Sequence, residues 1–310
     1  MFNNIQTASN MTDMQRNWGM ELNLVYPYGR LIQRAVNNAK VLLNNNVDEG
    51  HSIEHCVIVM RNACKASDHY SEDIRKKMTK QRSRLNVLLD DVFSTPAEIK
   101  SCMTQLSVIT DNIMTPLDKL AVALAALLHE VDDRKLFDTT DYSNARCILK
   151  DIFEDSDNLI AIIPLVIEMI DVTSCSKNGN SVAEPRWKLI PRDSDRIEAI
   201  GEIGIWRAYV YTIGVDRPMF DDETARVTND EELALVATSK RFDQYQVVKK
   251  SRTLIDHFSD KIVHIGDLQS KNPYLQKIAD ERMRPIKNFL FEFGRTGKIP
   301  KIKNPNKIML

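Results

Sequence analysis

Glycine and proline are scarce in this chain, 10 and 11 among 310 residues, so few positions interrupt a helix, and long segments carry apolar residues at helical spacing. Strands are expected to be few or absent, and the fold class read from the sequence is all-α. Cysteine is equally sparse. The five residues Cys56, Cys64, Cys102, Cys147 and Cys175 are odd in number, widely spaced and form no CxxC pair, which argues against a disulfide framework or a structural zinc site. A reducing, intracellular, cytoplasmic setting is the expectation. No stretch reaches the roughly 18 uninterrupted apolar residues of a spanning helix. The polar segment Met1 to Asn17 lacks the apolar core of a signal peptide. Nor is there an excess of charge of either sign: 42 basic against 43 acidic side chains leave a net charge of −1. No bulk field points to nucleic acid or to a membrane surface, so a charged partner is met locally.

The hydrophobic content of 43% with 27% charged residues is ordinary for a globular chain able to bury a sizeable core. Helices are predicted over Val25 to Leu43, Ser52 to Ala66, Leu117 to Glu130, from after Asp141 through Phe153, and over Leu159 to Val172. Asn178-Gly179 marks a turn in a polar loop. Further helices are predicted over Asp195 to Thr212, 242 to 260 and 272 to 295. Residues 67–116 stand apart: Asp68 to Arg84 is densely charged, and Leu85 to Ile113 mixes modest apolar positions with polar ones. That segment reads as a helical insertion, either a solvated hairpin or a lid or oligomer contact. The basic, proline-broken end, 298–310, reads as a flexible tail on a single domain spanning 1–310.

The most informative segment is Leu127-Leu128-His129-Glu130-Val131-Asp132-Asp133. It places an imidazole and three carboxylates at the end of Leu120 to Leu128, a run apolar on every face and therefore expected to be enclosed by other helices. A carboxylate at such a core end must be paired or bind a metal, because desolvating it alone costs several kcal/mol, on the order of the penalty for a buried ion. A solvated helix terminus is the competing reading. His51 and His55 lie four apart where a helical pattern begins, so both can share one face. A third cluster, Arg192-Asp-Ser-Asp-Arg-Ile-Glu198, is followed by Gly201 and Gly204, spaced to admit a neighbouring helix. Trp187 and Trp206 could stack a base but read more simply as core aromatics. Asp256-His257 reads as a helix-surface pair or one that supports ligands from behind.

Taken in order, these elements resemble the ligand set of the HD-domain metal-dependent phosphohydrolases. The stretch Asp193-Ser-Asp-Arg-Ile-Glu-Ala-Ile-Gly-Glu-Ile-Gly-Ile-Trp-Arg207 is similar to the signature of the YedJ/YpgQ-like branch, as are Gly214-Val-Asp-Arg-Pro-Met-Phe-Asp221, Ile255-Asp-His-Phe-Ser-Asp-Lys-Ile262 and Ala279-Asp-Glu-Arg282. The resemblance implies an all-α HD bundle with His55, His129 and Asp195 as metal ligands. It also implies Asp133 as the acid that orients or deprotonates water, with Lys135 contacting phosphate and assisting catalysis. His51, Arg196 and Arg207 are the remaining implied phosphate contacts. One position departs: the family's His-Asp is His129-Glu130 here, and Glu130 is carried as a ligand one methylene longer. A His/Asp/Glu set suits Mn²⁺, Fe²⁺, Co²⁺, Ni²⁺ or Zn²⁺, and also accepts Mg²⁺.

The function implied is metal-dependent hydrolysis of a nucleotide-like substrate, with a (d)NTP as one candidate. The alternative is a degenerate HD protein that binds a nucleotide or protein partner without turnover. No specific nucleic-acid or membrane partner is indicated, and a homo-oligomer fits the added hairpin.

Overall fold

The computed structural model describes residues 28–43, 52–154 and 156–304. His51, the start of the helix expected from Val25, the segment Met1 to Asn17 and positions 305–310 of the tail lie outside the described residues. Within them every regular element is helical, and no helix is long and apolar enough to cross a membrane. The chain divides into two compact units, Met1–Glu168 and Met169–Leu310.

The first unit contains α1 (Gly29–Leu43), α2 (Ile53–Asp90), α3 (Pro96–Thr110), α4 (Pro116–Leu128) and α5 (Ser143–Phe153). The division between units falls inside α6 (Ile163–Thr173). Helix α4 is the centre: every residue from Leu120 to Leu128 is fully buried, as the all-round apolar run requires. Its start is set by Pro116 and by a reciprocal cap, in which Thr115 Oγ1 accepts from the Asp118 N–H at 3.1 Å and Asp118 accepts from the Thr115 N–H at 2.8 Å. Helices α1 and α2 pack on α4, and α1 also packs on α5.

Helix α2 does not end near Ala66. No glycine or proline occurs from Ile53 to Asp90, and the helix runs 38 residues, leaving the bundle with α3 returning along it. Their contact is thin and partly polar: the Gln81 side chain donates to the Cys102 carbonyl at 3.2 Å and to Gln105 at 2.9 Å. The charged stretch that sets residues 67–116 apart in the sequence is thus the outer half of a helix rooted in the core.

The second unit holds α7 (Ile190–Glu198), α8 (Glu202–Gly214), α9 (Asp230–Val236), α10 (Ser239–Val248), α11 (Leu254–His257) and α12 (Pro273–Thr296). The long C-terminal helix buries Leu275, Ala279, Met283, Ile286, Leu290 and Phe293, a stripe at three- and four-residue spacing. The single helix expected from Asp195 to Thr212 is two helices. Gly201 takes φ +88°, and a Cβ on Gly204 would stand 2.4 Å from the Ala199 carbonyl oxygen; both glycines serve the break, and Gly201 also lies against Arg282 of α12. The helix expected over 242 to 260 is likewise interrupted, because α10 closes at Lys249 in the left-handed region. A five-residue π-helical turn, Phe258–Ile262, follows α11.

Asp256-His257 is not a surface pair. Asp256 is buried and paired with Arg241 and Arg252, and Arg241 also pairs with Asp260. His257 Nδ1 lies 3.3 Å from Ser251 Oγ, with Tyr245 edge-on to its ring. Burial, reinforced by the Lys261 and Arg217 charges, pushes its pKa down to about 3. The unfolded chain, with a histidine near its ordinary 6.5, therefore takes up a proton first on acidification, so stability is lost as pH falls from about 6.5 toward about 3. Denaturant titrations of His257→Gln across that window are expected to show a shallower acid loss than the unmodified chain.

Candidate metal centre

His55 sits in the first turn of α2, where its backbone N–H donates to the capping Ser52 Oγ at 3.4 Å. His129 is the residue on which α4 ends. Because α2 packs along α4, the two imidazoles meet edge to face, with ring centroids 5.4 Å apart and planes inclined at 64°. His129 Nδ1 lies 2.8 Å from the Ala126 carbonyl. A carbonyl only accepts, so Nδ1 carries a proton, and in the neutral ring Nε2 presents the lone pair. That is the tautomer a metal-bound histidine needs, fixed by its own helix.

Glu130 is buried, with Oε1 3.3 Å from His129 Nε2. A lone pair facing a carboxylate is unfavourable unless a proton or cation lies between them, so the pair favours positive charge at this spot. Asp132 has a different use. Its buried carboxylate accepts the Asn144 N–H at 3.1 Å and the Ala145 N–H at 2.8 Å, and the Asn144 side chain donates back to the Val131 carbonyl at 2.7 Å. Asp132 thus caps α5, which has no cap of its own from Tyr142, and its charge sits at the positive end of that helix. Asp133 is half-buried; one oxygen takes the Lys135 N–H at 2.8 Å. The Lys135 side chain is exposed.

In the second unit, α7 carries more charge into the interior than any apolar pattern announces. Arg192, Asp193, Arg196 and Glu198 are buried, while Asp195 between them is half-exposed. Asp193 is committed to the fold: it accepts the Ser270 N–H at 2.7 Å. Arg196 donates to Asn180 Oδ1 at 2.7 Å and to the Gly179 carbonyl, and Arg192 donates to the Ser181 carbonyl at 2.8 Å. Two arginines four residues apart therefore clamp one loop, whose Gly179 has φ +50°. Burial, and then repulsion from Arg196, lowers the Arg192 pKa to about 10, so it stays charged at neutral pH. The guanidinium of Arg196, implied by the resemblance as a phosphate contact, is spent on this loop; Arg207 lies half-buried on α8. Arg282 of α12 pairs with Glu198 at 2.9 Å and donates to the Ile197 carbonyl, holding the end of α7. Trp187 is buried, and Trp206 packs near Tyr209 at 6.0 Å.

His55, His129 and Asp195 make up a group that could hold a divalent metal ion, each offering one ligand atom. Two imidazole nitrogens and one carboxylate oxygen suit a borderline cation, and the fixed His129 tautomer fits that use. Glu130 lies beside this group, against His129, and is not one of its members. The clamp role of Arg192 and Arg196 and the capping role of Asp132 carry no sequence signal, since both depend on carbonyls and amides brought close by the fold. Replacing Asp132 by alanine is expected to cost about 1–2 kcal/mol, the usual value of a lost helix cap, and chemical denaturation measures it.

No protein-family model matches the chain. It is 40% identical over 187 residues to the uncharacterized protein L803 of Acanthamoeba polyphaga mimivirus, a match covering 56% of this chain and 77% of that protein. A crystal structure of a Lactobacillus plantarum protein, a structural-genomics target, aligns over 86% of this chain and 96% of its own at 20% identity and a TM-score of 0.48. On the extent and identity of the first match, this chain belongs to the family of the mimiviral protein L803.

Proposed function

We propose that the protein is a metal-dependent phosphohydrolase of the HD type, acting on a nucleotide-like substrate. The observation that carries this reading is the His55, His129 and Asp195 group with its metal-ready histidine tautomer. The order of those residues in the chain and the Asp193 to Arg207 stretch, similar to the HD signature, add to it. Metal chemistry in such a set lowers the pKa of a bound water and polarises a phosphoryl oxygen.

The chain's own residues supply the rest. Asp133 follows His129 by four residues, and its first oxygen is fixed by the Lys135 N–H; its second oxygen is the proposed acceptor of the water's proton. The exposed Lys135 ammonium can reach a phosphate and offset charge that develops on it. Glu130 tunes the centre: its carboxylate raises the local preference for a cation without belonging to the ligand group. The second reading, a protein that binds a nucleotide without turnover, rests on that same glutamate standing where the HD family has aspartate.

Elemental mass spectrometry on the purified chain is expected to find a single divalent ion per molecule and its loss in Asp195→Ala. Hydrolysis is then read across a nucleoside phosphate panel with Mn²⁺, Co²⁺, Ni²⁺ and Mg²⁺. The Asp195→Ala and Asp133→Asn variants are expected to fall about a hundredfold or more. Retained metal with no release of phosphate or pyrophosphate from any substrate removes the hydrolase reading and favours binding alone. If Glu130→Asp gains turnover from an inactive parent, the chain is degenerate at that position; a loss shows a centre adjusted to glutamate.

A further inference from the structure

The outer half of α2 is continuous with the metal centre, because the helix runs unbroken from the turn that carries His55 to Asp90. At about 100° per residue, the face that starts at His55 returns at Asn62, His69, Lys76, Lys80, Arg84 and Val87, each within about 60° of His55 around the axis. Asn62 is half-buried and the five beyond it are exposed. The bundle and α3 take a different face, where Cys56, Met60, Ala63, Ile74 and Gln81 are buried. The His55 face is polar near the centre and turns cationic farther out: from Arg75 to Arg84 there are six cations and no acid, all exposed. Lys76, Lys77, Lys80 and Arg84 stand on the His55 side, while Arg75 and Arg82 lie on the other flank of the helix. Glu72 and Asp73 pair with Lys76 and Lys77, each at 2.7 Å, but such water-exposed pairs are weak and a phosphate can displace them. Val87 is 67% exposed on the same face, and Phe93, 92% exposed, stands at the turn beyond it.

We propose that this row is a track for a single-stranded nucleic acid, whose phosphates lie along Lys76, Lys80 and Arg84 and whose end reaches the metal centre. The inference rests on the phosphohydrolase reading of that centre and assigns its substrate class. At a rise of about 1.5 Å per residue, Lys76 lies about 30 Å and Arg84 about 43 Å from His55 along the axis, a span that only a polymer covers. At about 3.4 Å per nucleotide the longer distance corresponds to about 13 nucleotides, and to fewer when the strand is extended. A phosphodiester chain supplies both things the helix calls for: a regular row of negative charge for the cations and, at its end, a P–O bond for the centre to open. There the oxygen of water bonds to phosphorus, the bond to the sugar oxygen breaks, and the sugar oxygen leaves with a proton. An acidic peptide matches the charge but offers no such bond. A duplex hides its base faces, whereas unstacked bases can cover Val87 and Phe93. An anionic bilayer would have to accept Asp90 and Asp91 at the tip of the hairpin.

The test is fluorescence anisotropy of the full chain with a labelled oligothymidylate of about 20 nucleotides in EDTA, so that binding is read without metal or turnover. Binding is expected, with a log–log salt slope of about −2, and a tetranucleotide is expected to bind at least about tenfold more weakly. Lys80→Glu and Arg84→Glu are each expected to raise the dissociation constant roughly tenfold, and Phe93→Ala about fivefold. Arg82→Glu makes the same charge change on the other flank and is expected to cost about threefold or less. Circular dichroism checks that these exposed substitutions leave the helices intact. With metal added, the long strand is expected to compete with mononucleotide turnover, and Lys80→Glu to relieve that competition without slowing the turnover itself. No binding, equal losses in Arg82→Glu and Lys80→Glu, a tetranucleotide bound as tightly, or a bound strand that does not compete overturns the proposal. Inorganic polyphosphate or a duplex bound as tightly as the strand overturns the assignment to single-stranded nucleic acid. A chain inert toward every mononucleotide that still binds the strand through Lys80 fails the hydrolase reading alone; mononucleotide turnover without strand binding fails this inference alone.

Discussion

The desolvation of α4 is the constraint on which the first unit depends. Nine consecutive residues, Leu120 to Leu128, have no contact with water, so nothing polar can be placed along the helix and every charge must appear at its ends. At the start, Thr115 and Asp118 satisfy each other's amides. At the finish the helix gives out at His129, and the chain turns through Glu130, Asp132 and Asp133. The packing that excludes water from α4 also brings α2 alongside, and with it His55.

The charged residues after α4 do separate jobs although they are adjacent in sequence. His129 binds its own helix through Nδ1 and turns Nε2 outward; Glu130 lies against that nitrogen. Asp132 caps a helix that begins more than ten residues later, and Asp133 closes a turn. A cluster that reads as one acidic patch is thereby split between holding the fold and shaping a centre attractive to cations. The capping use of Asp132 removes the electrostatic crowding that three free carboxylates would create next to an imidazole.

Helix α7 solves the opposite problem, since its buried residues are largely charged. Arg192 and Arg196 are tolerated in the interior because the carbonyls of one loop and the Asn180 side chain accept their protons, and Asp193 because a backbone amide at Ser270 donates to it. Buried ions with such partners add definition more than stability. Here they fix how α7 is turned, and so leave Asp195, alone among its charged neighbours from Arg192 to Glu198, half-exposed.

The sequence by itself determined the all-α class, the enclosure of α4 and the helical character of residues 67–116, because each follows from apolar periodicity and the rarity of glycine and proline, which act locally. It also marked His55, His129 and Asp195 as a set, through order and resemblance. It did not reveal that α2 continues unbroken to Asp90, that Gly201 and Gly204 divide a predicted helix, or that Asp256 is buried and His257 half-buried. Nor could it separate Asp132, Arg192 and Arg196 from residues serving chemistry. Those assignments were decided only by tertiary structure, because a buried charge takes its role from the amides, carbonyls and counter-ions that folding brings within hydrogen-bond reach, and these come from positions remote in the chain.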